Sequence, residues 1–469
     1  MIVPILLQQR TFDDRLSIFS VNYLFKNKST SMTKTLVARD LKHIWHPCSQ
    51  MKDYETFPPM IIHHASGSYI ELSNGHRLID AISSWWCKSL GHQHPRLIQA
   101  LQKQLDHFEH VLLANTTHEI IVNLAEKLAR LTKRLNKVCF ASDGSCAVEM
   151  AMKMSVHARQ IQGDAHRTRF IALKNSYHGE TLGTMSVSNL NVYQNAYQSL
   201  LFDTLFLEPM PYVTGKTDPL WNDCTSHWLR MEKQLAPYVK EATAILVEPI
   251  VQGAGGMKIY SPDLLKKLRR WCDDNHIHLI ADEIMTGIGR TGFPLACQHA
   301  EIEPDFLCLS KGLTSGCLPL SVTLTSQKIY ELFYDDYEKG KSFLHSHTHS
   351  GNALAASVAL ECLNVMEEEK IYQQVHTMEP YLRTLMEEIA HDTGQLTNLR
   401  NIGAIVAADL TVPSMTRMGY AVYQEAVKLG ALLRPLGNTI YWLPPLNTDF
   451  STLKRLQQIT AEAIFNVLG

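Results

Sequence analysis

The chain has 469 residues, of which 45% are hydrophobic and 19% charged, with a formal net charge of -2 at pH 7. This predicts a globular protein with a large core and two domains, and it disfavours nucleic acid or an anionic membrane as the main partner. No apolar run approaches the roughly 20 residues of a membrane-spanning helix, and ten scattered cysteines suit a reducing compartment such as the cytoplasm.

Residues 1–31 do not look like the start of a folded domain. Their short apolar run is broken by Pro4, no small-residue cleavage site follows, and Asp13 and Asp14 argue against a transit peptide. Organised sequence begins near Met32. We therefore expect residues 1–31 to be a disordered, loosely attached arm or a mis-assigned start, and residues 32–80 to pack with the smaller domain.

Residues 68–80 predict a β-hairpin, because apolar and polar side chains alternate around Asn74-Gly75, a pair typical of a primed two-residue turn. Trp85 and Trp86 follow, and Pro95 stands at the start of an amphipathic helix. Paired tryptophans are usually core residues, but they also form aromatic walls around apolar ligands. Both interpretations remain open at this point.

A strand, a glycine-containing turn and a helix are predicted over residues 137–159. Gly144 lets the backbone approach a ligand closely, and Ser145 is the expected helix cap. Because a helix N-terminus attracts phosphate, this turn is a candidate phosphate site, although capped units of this kind are common. Residues 169–182 run from a second strand into a loop with Tyr177, which either covers the core or stacks on a ligand.

Two further predicted strands carry acidic residues in apolar surroundings. Residues 243–256 begin with a continuous apolar run that ends at Glu248, as expected of a buried parallel strand, and a helix over residues 262–275 follows. Residues 278–284 predict the next strand, with Asp282 at its tip. A carboxylate in that position is costly unless a cationic group meets it.

Lys311 follows a short apolar run at residues 306–309 and is the residue on which the functional interpretation of the chain depends. Burial at a strand end lowers the pKa of an amine, as a Schiff-base lysine requires; the alternative is a lysine that reaches into solvent. Strands and helices alternate over residues 137–321, which predicts a parallel sheet with its ligand beyond the carboxyl ends of the strands. The candidate residues all follow strand ends, and this convergence favours a functional site.

Residues 343–351 hold three histidines at alternate positions, which on a strand would share one face and suggest zinc. No carboxylate or cysteine completes a site at the usual spacing, so no metal is predicted. A long helix is expected over residues 352–369. From there, short strands and helices predict a compact α+β domain at residues 370–469, in which Arg434 is either a surface charge or a bidentate carboxylate ligand.

Taken together, the chain resembles the class III, fold-type-I aminotransferases, which use pyridoxal 5'-phosphate (PLP). Within that family, SSWW, IWHP and RPLG are most similar to the members that act in biotin biosynthesis. The resemblance runs from about His43 to the C-terminus, and it rests on HIWHP (43–47), SSWW (83–86), GSCAVEMAMKM (144–154), YHGET (177–181), EPIVQGAGGM (248–257), LIADEIMTGIGRTG (279–292), LSKGLT (309–314) and RPLG (434–437).

The resemblance implies a fold and a cofactor site. The expected fold is α/β, with a large PLP-binding domain at residues 81–369 built on a mostly parallel seven-stranded sheet. Lys311 would be the catalytic residue that binds the cofactor covalently and transfers the proton. Asp282 would pair with the pyridine nitrogen and Tyr177 would stack on the ring. Gly144 and Ser145 would hold the phosphate.

The resemblance also implies substrates and an assembly. The substrates would be S-adenosylmethionine, the amino donor, and 8-amino-7-oxononanoate, the acceptor. Trp85, Trp86 and Ser346 would contact them, together with Tyr177 and Lys311, and Arg434 would bind the acceptor's carboxylate. Thr348 would reach the phosphate of a neighbouring subunit, so the active site would require a homodimer.

Three positions depart from the family pattern. Cys48 stands where the family usually has a tyrosine after IWHP, and this removes a hydroxyl that helps to order the substrates. Ser346-His347-Thr348 replaces a small-Pro-Thr element and loses the rigidity of proline. Glu180 stands where aspartate is frequent, which is a mild change.

Three alternative functions compete with this interpretation. The nearest is another class III aminotransferase that acts on an ω-amino acid, which would be expected to bind two carboxylates through separate arginines. A catalytically silent scaffold is disfavoured because Asp282 and Lys311 are both present. A dinucleotide-dependent oxidoreductase is disfavoured because GAGG at residues 253–256 lacks the glycine spacing of a dinucleotide-binding turn.

Overall fold

The computed structural model describes residues 30–469. The predicted arm at residues 1–31 therefore lies, except for its last two residues, outside the described part of the chain. The strands are β1 (Ile62–Ser66), β2 (Tyr69–Leu72), β3 (Arg77–Asp80), β4 (Lys137–Ala141), β5 (Arg169–Leu173), β6 (Thr204–Leu207), β7 (Tyr212–Val213), β8 (Ala242–Val247), β9 (Val251–Gln252), β10 (Lys258–Tyr260), β11 (His278–Asp282), β12 (Phe306–Leu309), β13 (Ser321–Thr325), β14 (Leu396–Ile402), β15 (Ile405–Leu410), β16 (Ala431–Leu432) and β17 (Thr439–Trp442).

The α-helices are α1 (Thr30–His43), α2 (Pro95–Leu105), α3 (Glu119–Ala129), α4 (Gly144–Ile161), α5 (Leu182–Ser186), α6 (Asn191–Gln194), α7 (Thr225–Leu235), α8 (Pro262–Asp274), α9 (Gln327–Phe333), α10 (Ala353–Glu368), α11 (Ile371–Thr393), α12 (Met418–Leu429) and α13 (Phe450–Leu468). A separate helical turn covers Ser83–Trp86, and a 3₁₀ turn begins at Lys311. Within residues 30–469, every helix is too short or too polar to cross a bilayer.

The large sheet has seven strands in the order β4-β13-β12-β11-β8-β5-β6. Strand β13 runs antiparallel to both of its neighbours, and the other pairs are parallel. Every residue of β8, β11 and β12 is buried, since structure covers both faces of the sheet. The prediction of a mostly parallel seven-stranded sheet is therefore confirmed.

The parallel strands determine where the polar residues meet. Their carboxyl ends lie at one edge of the sheet, so the segments that follow β4, β5, β8, β11 and β12 converge there. The pairing of β11 with β12 sets Asp282 opposite Cys308. Lys311, three residues beyond Cys308, therefore starts from the same edge.

A second group of elements packs beside this edge. Strands β14, β15 and β17 form an antiparallel sheet, and α11 contacts its strands β14 and β15. Strand β16 leaves that group and pairs in parallel with β3, giving a four-stranded sheet β1-β2-β3-β16. This pairing brings Arg434, which follows β16, close to the Ser83–Trp86 turn that follows β3.

Two local predictions need correction. Strands β2 and β3 do form the predicted hairpin, with Glu71 opposite Arg77, but the turn is not a primed one. Only Gly75 has a positive φ, of 83°, and its N–H donates to the carbonyl of Leu72 at 2.9 Å. The connection is therefore longer than two residues and resembles a turn followed by a left-handed glycine.

The predicted cap at Ser145 is also wrong, because Asp143 caps α4 instead.

Candidate active site

Lys311 lies on the floor of a cavity at the carboxyl edge of the large sheet. Its backbone is left-handed, with a φ of 44°, and its amine lies 4.9 Å from the centre of the Trp86 ring. Burial lowers the pKa of the amine below the usual lysine value of 10.5, although the charges of Asp282 and Glu248 oppose that shift. The alternative of a lysine that reaches into solvent is not what the structure shows.

Asp282, at the end of β11, is buried beside the same cavity. One carboxylate oxygen accepts a hydrogen bond from the backbone N–H of Ile284 at 3.1 Å, and the other lies 2.9 Å from Nδ1 of His178. His178 supplies a partner of the kind that a buried carboxylate needs. Its other ring nitrogen, Nε2, is buried with no partner in the described residues.

The N-terminus of α4 forms another part of the cavity wall. Asp143 caps the helix by accepting a hydrogen bond from the N–H of Cys146 at 3.0 Å, so Ser145 is left at the cavity rather than at the cap. Gly179, with a φ of 133°, is packed so closely that a Cβ would collide with the Ser145 hydroxyl. Backbone N–H groups at the start of this helix suit an anion such as a phosphate.

Glu248 is a site residue to which the sequence assigned no role. Its two oxygens accept hydrogen bonds from the N–H groups of Tyr177 at 2.9 Å and Gly253 at 3.0 Å. Burial raises its pKa to about 7. The side chain of Glu248, just after β8, therefore joins the loops after β5 and β9. The available signal was the same as for Asp282: an acid at the end of an apolar strand.

Six of the ten sequence-predicted site residues line this cavity: Trp86, Gly144, Ser145, Tyr177, Asp282 and Lys311. The cavity-lining residues that were not predicted are Asp143, His178, Gly179, Glu248, Ile284, Met285, Thr286 and Ser310. The remaining predicted residues are Trp85, Ser346, Thr348 and Arg434, which lie elsewhere.

The two adjacent tryptophans have different surroundings. Trp86 is buried, and its indole N–H donates to the Tyr441 hydroxyl at 2.9 Å. Trp85 is 40% exposed, and the Arg434 guanidinium carbon lies 3.8 Å from the centre of its ring. Both interpretations therefore apply to Trp86, which is buried and lines the cavity, whereas Trp85 lies with Arg434 at a more exposed position.

Asp80 holds this tryptophan turn in an unusual conformation. All four residues of Ser83–Trp86 have positive φ, between 44° and 75°, which costs non-glycine residues about 1 kcal/mol each. Asp80 is fully buried and accepts hydrogen bonds from the N–H of Ser84 at 2.9 Å and its hydroxyl at 2.7 Å. Its second oxygen also lies 2.8 Å from Nε2 of His92.

Ser346 and Thr348 lie on an exposed loop outside the cavity of their own chain. The loop is not a strand, and the Thr348 carbonyl accepts a hydrogen bond from His110 at 2.8 Å. His345 and His347 contact each other, with their Nε2 atoms 3.2 Å apart. Among the described residues, no group of three or more potential ligands is arranged to hold a metal ion.

The chemistry of this cavity fits PLP. An amine with a lowered pKa suits its aldehyde, a firmly held carboxylate suits a pyridinium nitrogen, and a helix N-terminus suits its phosphate. Tyr177 lines the same cavity, and its ring lies 5.4 Å from the ring of Tyr193.

Comparisons with known proteins agree with this geometry. A family model described as aminotransferase class III matches residues 50–464. An adenosylmethionine-8-amino-7-oxononanoate aminotransferase from Helicobacter pylori is 40% identical over 431 residues, which cover 90% of this chain and 96% of that protein. The crystal structure of the enzyme of that name from Methanocaldococcus jannaschii has a TM-score of 0.86 and 31% identity, covering 93% of this chain and 100% of that one.

A solved amine transaminase from an uncultivated Pseudomonas species contains bound PLP. It has a TM-score of 0.83 and 29% identity, and it covers 91% of this chain and 99% of its own. Similarity in fold therefore extends beyond the enzymes with one substrate pair, whereas the Helicobacter relative and the Methanocaldococcus structure carry the same name.

Removing the Asp80 carboxylate should release the tryptophan turn. We expect Asp80→Ala to lower the free energy of unfolding by about 2–4 kcal/mol, because buried donors lose their acceptor. Urea denaturation followed by tryptophan fluorescence measures this loss, and acrylamide quenching should rise as Trp85 and Trp86 become mobile. The exposed Asp274→Ala should change stability by less than about 0.5 kcal/mol. Equal behaviour of the two variants would contradict a clamping role for Asp80.

The Lys311 amine should react at lower pH than a free lysine. An amine with a lowered pKa loses its proton at a lower pH. The neutral form of Lys311 should therefore be populated at pH values below 10.5, the usual pKa of lysine. The rate of PLP uptake by the apoenzyme, followed by absorbance, should therefore rise with a midpoint below that of N-acetyl-lysine methyl ester measured alongside. A midpoint at or above that of the model amine would show that the site does not depress the pKa.

Proposed function

Because the chain belongs to the class III aminotransferases, we propose that it transfers the amino group of S-adenosylmethionine to 8-amino-7-oxononanoate. The products are the keto acid of the donor and 7,8-diaminononanoate, an intermediate of biotin biosynthesis. The observation that carries the proposal is the joint placement of Lys311 and Asp282 in one cavity with the N-terminus of α4. The names of relatives that are 30–40% identical support the substrate pair.

Each cavity residue has a distinct role in this proposal. Bound PLP supplies an aldehyde carbon that accepts an amino group and a ring that delocalises the electrons of a deprotonated substrate carbon. Lys311 holds the cofactor and moves a proton to and from the substrate carbon, for which its lowered pKa provides a neutral amine. Asp282, fixed by His178, keeps a proton on the pyridine nitrogen.

The two substrates differ in the chemical groups that the protein has to recognise. S-adenosylmethionine brings a sulfonium cation, which aromatic faces attract. The acceptor brings an aliphatic chain, which packs on the same aromatic surface, and a carboxylate for Arg434. Trp85 and Arg434 stand together outside the cavity lining, and no carboxylate of the described residues forms an ion pair with Arg434. Its charge is therefore available to a substrate.

A second candidate is a transaminase that takes amines or ω-amino acids. The structural similarity to the Pseudomonas amine transaminase favours it, because the same scaffold serves both activities. The amino donor that the enzyme accepts distinguishes the two candidate functions. Turnover with glutamate or a simple amine, without turnover of S-adenosylmethionine, would identify the second candidate.

The proposed enzyme is a cytoplasmic homodimer. All ten cysteines are free, which suits a reducing compartment. The exposed loop of Thr348 carries Leu344, which is 91% exposed, and contacts the segment of Val111 and Leu112, which are also exposed. Apolar side chains on this face support a subunit contact, and Thr348, which lies outside its own cavity, would serve the partner's phosphate site.

The donor assay tests cofactor, lysine and substrate together. Addition of S-adenosylmethionine to the PLP-loaded enzyme should bleach the absorbance of the bound cofactor, and 8-amino-7-oxononanoate should restore it. Lys311→Ala should lose at least about 10⁴-fold in activity, since it removes the group that transfers the proton. Persistence of the absorbance with S-adenosylmethionine, combined with bleaching by glutamate, would reject the proposed donor.

Mixed dimers test whether Thr348 acts across subunits. We expect Lys311→Ala and Thr348→Asp to be inactive as separate homodimers, the latter because a carboxylate would repel the phosphate. A random 1:1 mixture should recover about a quarter of wild-type activity, because half of the dimers are mixed and each mixed dimer has one intact site. No recovery would place Thr348 with its own subunit's site. Thr348→Ser, which keeps the hydroxyl, is the control and should remain active.

A further inference from the structure

Tyr193 lies beside a residue of the cavity lining, and neither the sequence motifs nor the cavity lining assigned it a role. It lies on the short helix α6, and its side chain is half-buried. Its ring lies 5.4 Å from the ring of Tyr177, which lines the cavity. Its hydroxyl lies 3.9 Å from the sulfur of Cys48. Tyr193 therefore stands between the cavity and the segment of Cys48.

Cys48 links Tyr193 to Arg434. The Arg434 guanidinium donates to the Cys48 carbonyl at 3.3 Å while it stacks on Trp85. Two donors, a phenol and a guanidinium, thus approach the same residue from two different segments. Among the described residues, neither donor has a carboxylate partner.

The Cys48 thiol is a poor hydrogen-bond partner for the Tyr193 hydroxyl. A thiol is a weak hydrogen-bond acceptor, and 3.9 Å is at the long end for a contact with sulfur. Burial raises the pKa of Tyr193 to about 12, so the phenol stays protonated at neutral pH and acts as a donor. A protonated hydroxyl beside an unpaired guanidinium matches a carboxylate, which accepts several hydrogen bonds.

The shapes of the two substrates indicate which of their carboxylates would reach Tyr193 and Arg434. In 8-amino-7-oxononanoate the ketone and the carboxylate lie near opposite ends of an aliphatic chain. When the ketone is near Lys311, the length of the chain holds the carboxylate away from that lysine. In S-adenosylmethionine the carboxylate is attached to the reacting carbon itself, so it must bind deep in the cavity.

We propose that Tyr193 and Arg434 together bind the carboxylate of the acceptor, with Tyr193 as the residue that contributes to acceptor specificity. This inference rests on the proposed function for the identity of the acceptor. The Tyr193 hydroxyl leaves the Cys48 sulfur and donates to the carboxylate, and Arg434 supplies the positive charge. No bond is made or broken in this role.

Tyr193→Phe tests the inference because it removes only the hydroxyl. In the PLP-loaded enzyme, the calorimetric Kd for 8-amino-7-oxononanoate should rise about tenfold, as expected from the loss of a hydrogen bond to a charged group. The KM of the acceptor should rise to a similar extent. The value of kcat, the KM of S-adenosylmethionine and the unfolding temperature should stay unchanged.

Tyr197→Phe is the matched control, because Tyr197 follows on the same segment and is exposed. It should leave both substrates unaffected. An acceptor Kd for Tyr193→Phe within twofold of wild type would overturn the inference, as would an equal rise in the KM of the donor or a lower unfolding temperature. Those last two results would indicate a structural role.

A double substitution shows whether the two donors share one ligand. If they bind the same carboxylate, the effect of Tyr193→Phe on acceptor Kd should shrink in an Arg434→Ala background. Effects that multiply would show independent roles and overturn the shared site. Absence of turnover by the wild-type enzyme would overturn the proposed function, and the Kd measurements would still decide the role of Tyr193.

Discussion

The site depends on one pair of parallel strands. The register of β11 with β12 sets Asp282 beside Cys308, and three residues later the chain reaches Lys311. A carboxylate and an amine thereby reach one cavity from separate segments, in surroundings that oppose the charged form of the amine. Neighbouring contacts support this arrangement: His178 fixes the carboxylate, and Glu248 joins the loops after β5 and β9 beside the same cavity.

Much of this arrangement could be predicted from the sequence. Buried parallel strands are continuous apolar runs, so β8, β11 and β12 are recognisable, and whatever follows them must lie at one edge. The assignment of Asp282 and Lys311 to one site needed only that rule. Local details were less accessible: a hydroxyl and a carboxylate both cap helices well, so the choice between Ser145 and Asp143 depended on the turn geometry, which composition does not determine.

Residues that act through tertiary contacts were the hardest to predict. His178 was visible as part of a loop, but its contact with Asp282 joins segments 104 residues apart. Tyr193 offered no signal, since a tyrosine on a polar segment is ordinarily a surface residue. Cys48 departs from the family pattern, so the sequence drew attention to its segment. It did not indicate that Tyr193, from another segment, lies beside Cys48. The split between Trp85 and Trp86 likewise follows from the left-handed turn, which nothing in the local sequence requires.

The pairing of β3 with β16 has a mechanical consequence. Asp80, which anchors the tryptophan turn, is the residue opposite Leu432 in this ladder, and Arg434 follows two residues later. Trp85 and Arg434 therefore follow two directly paired strands, although they are more than 300 positions apart in the chain. The spacing between the indole and the guanidinium thus depends on the ladder beneath them and not on either residue alone.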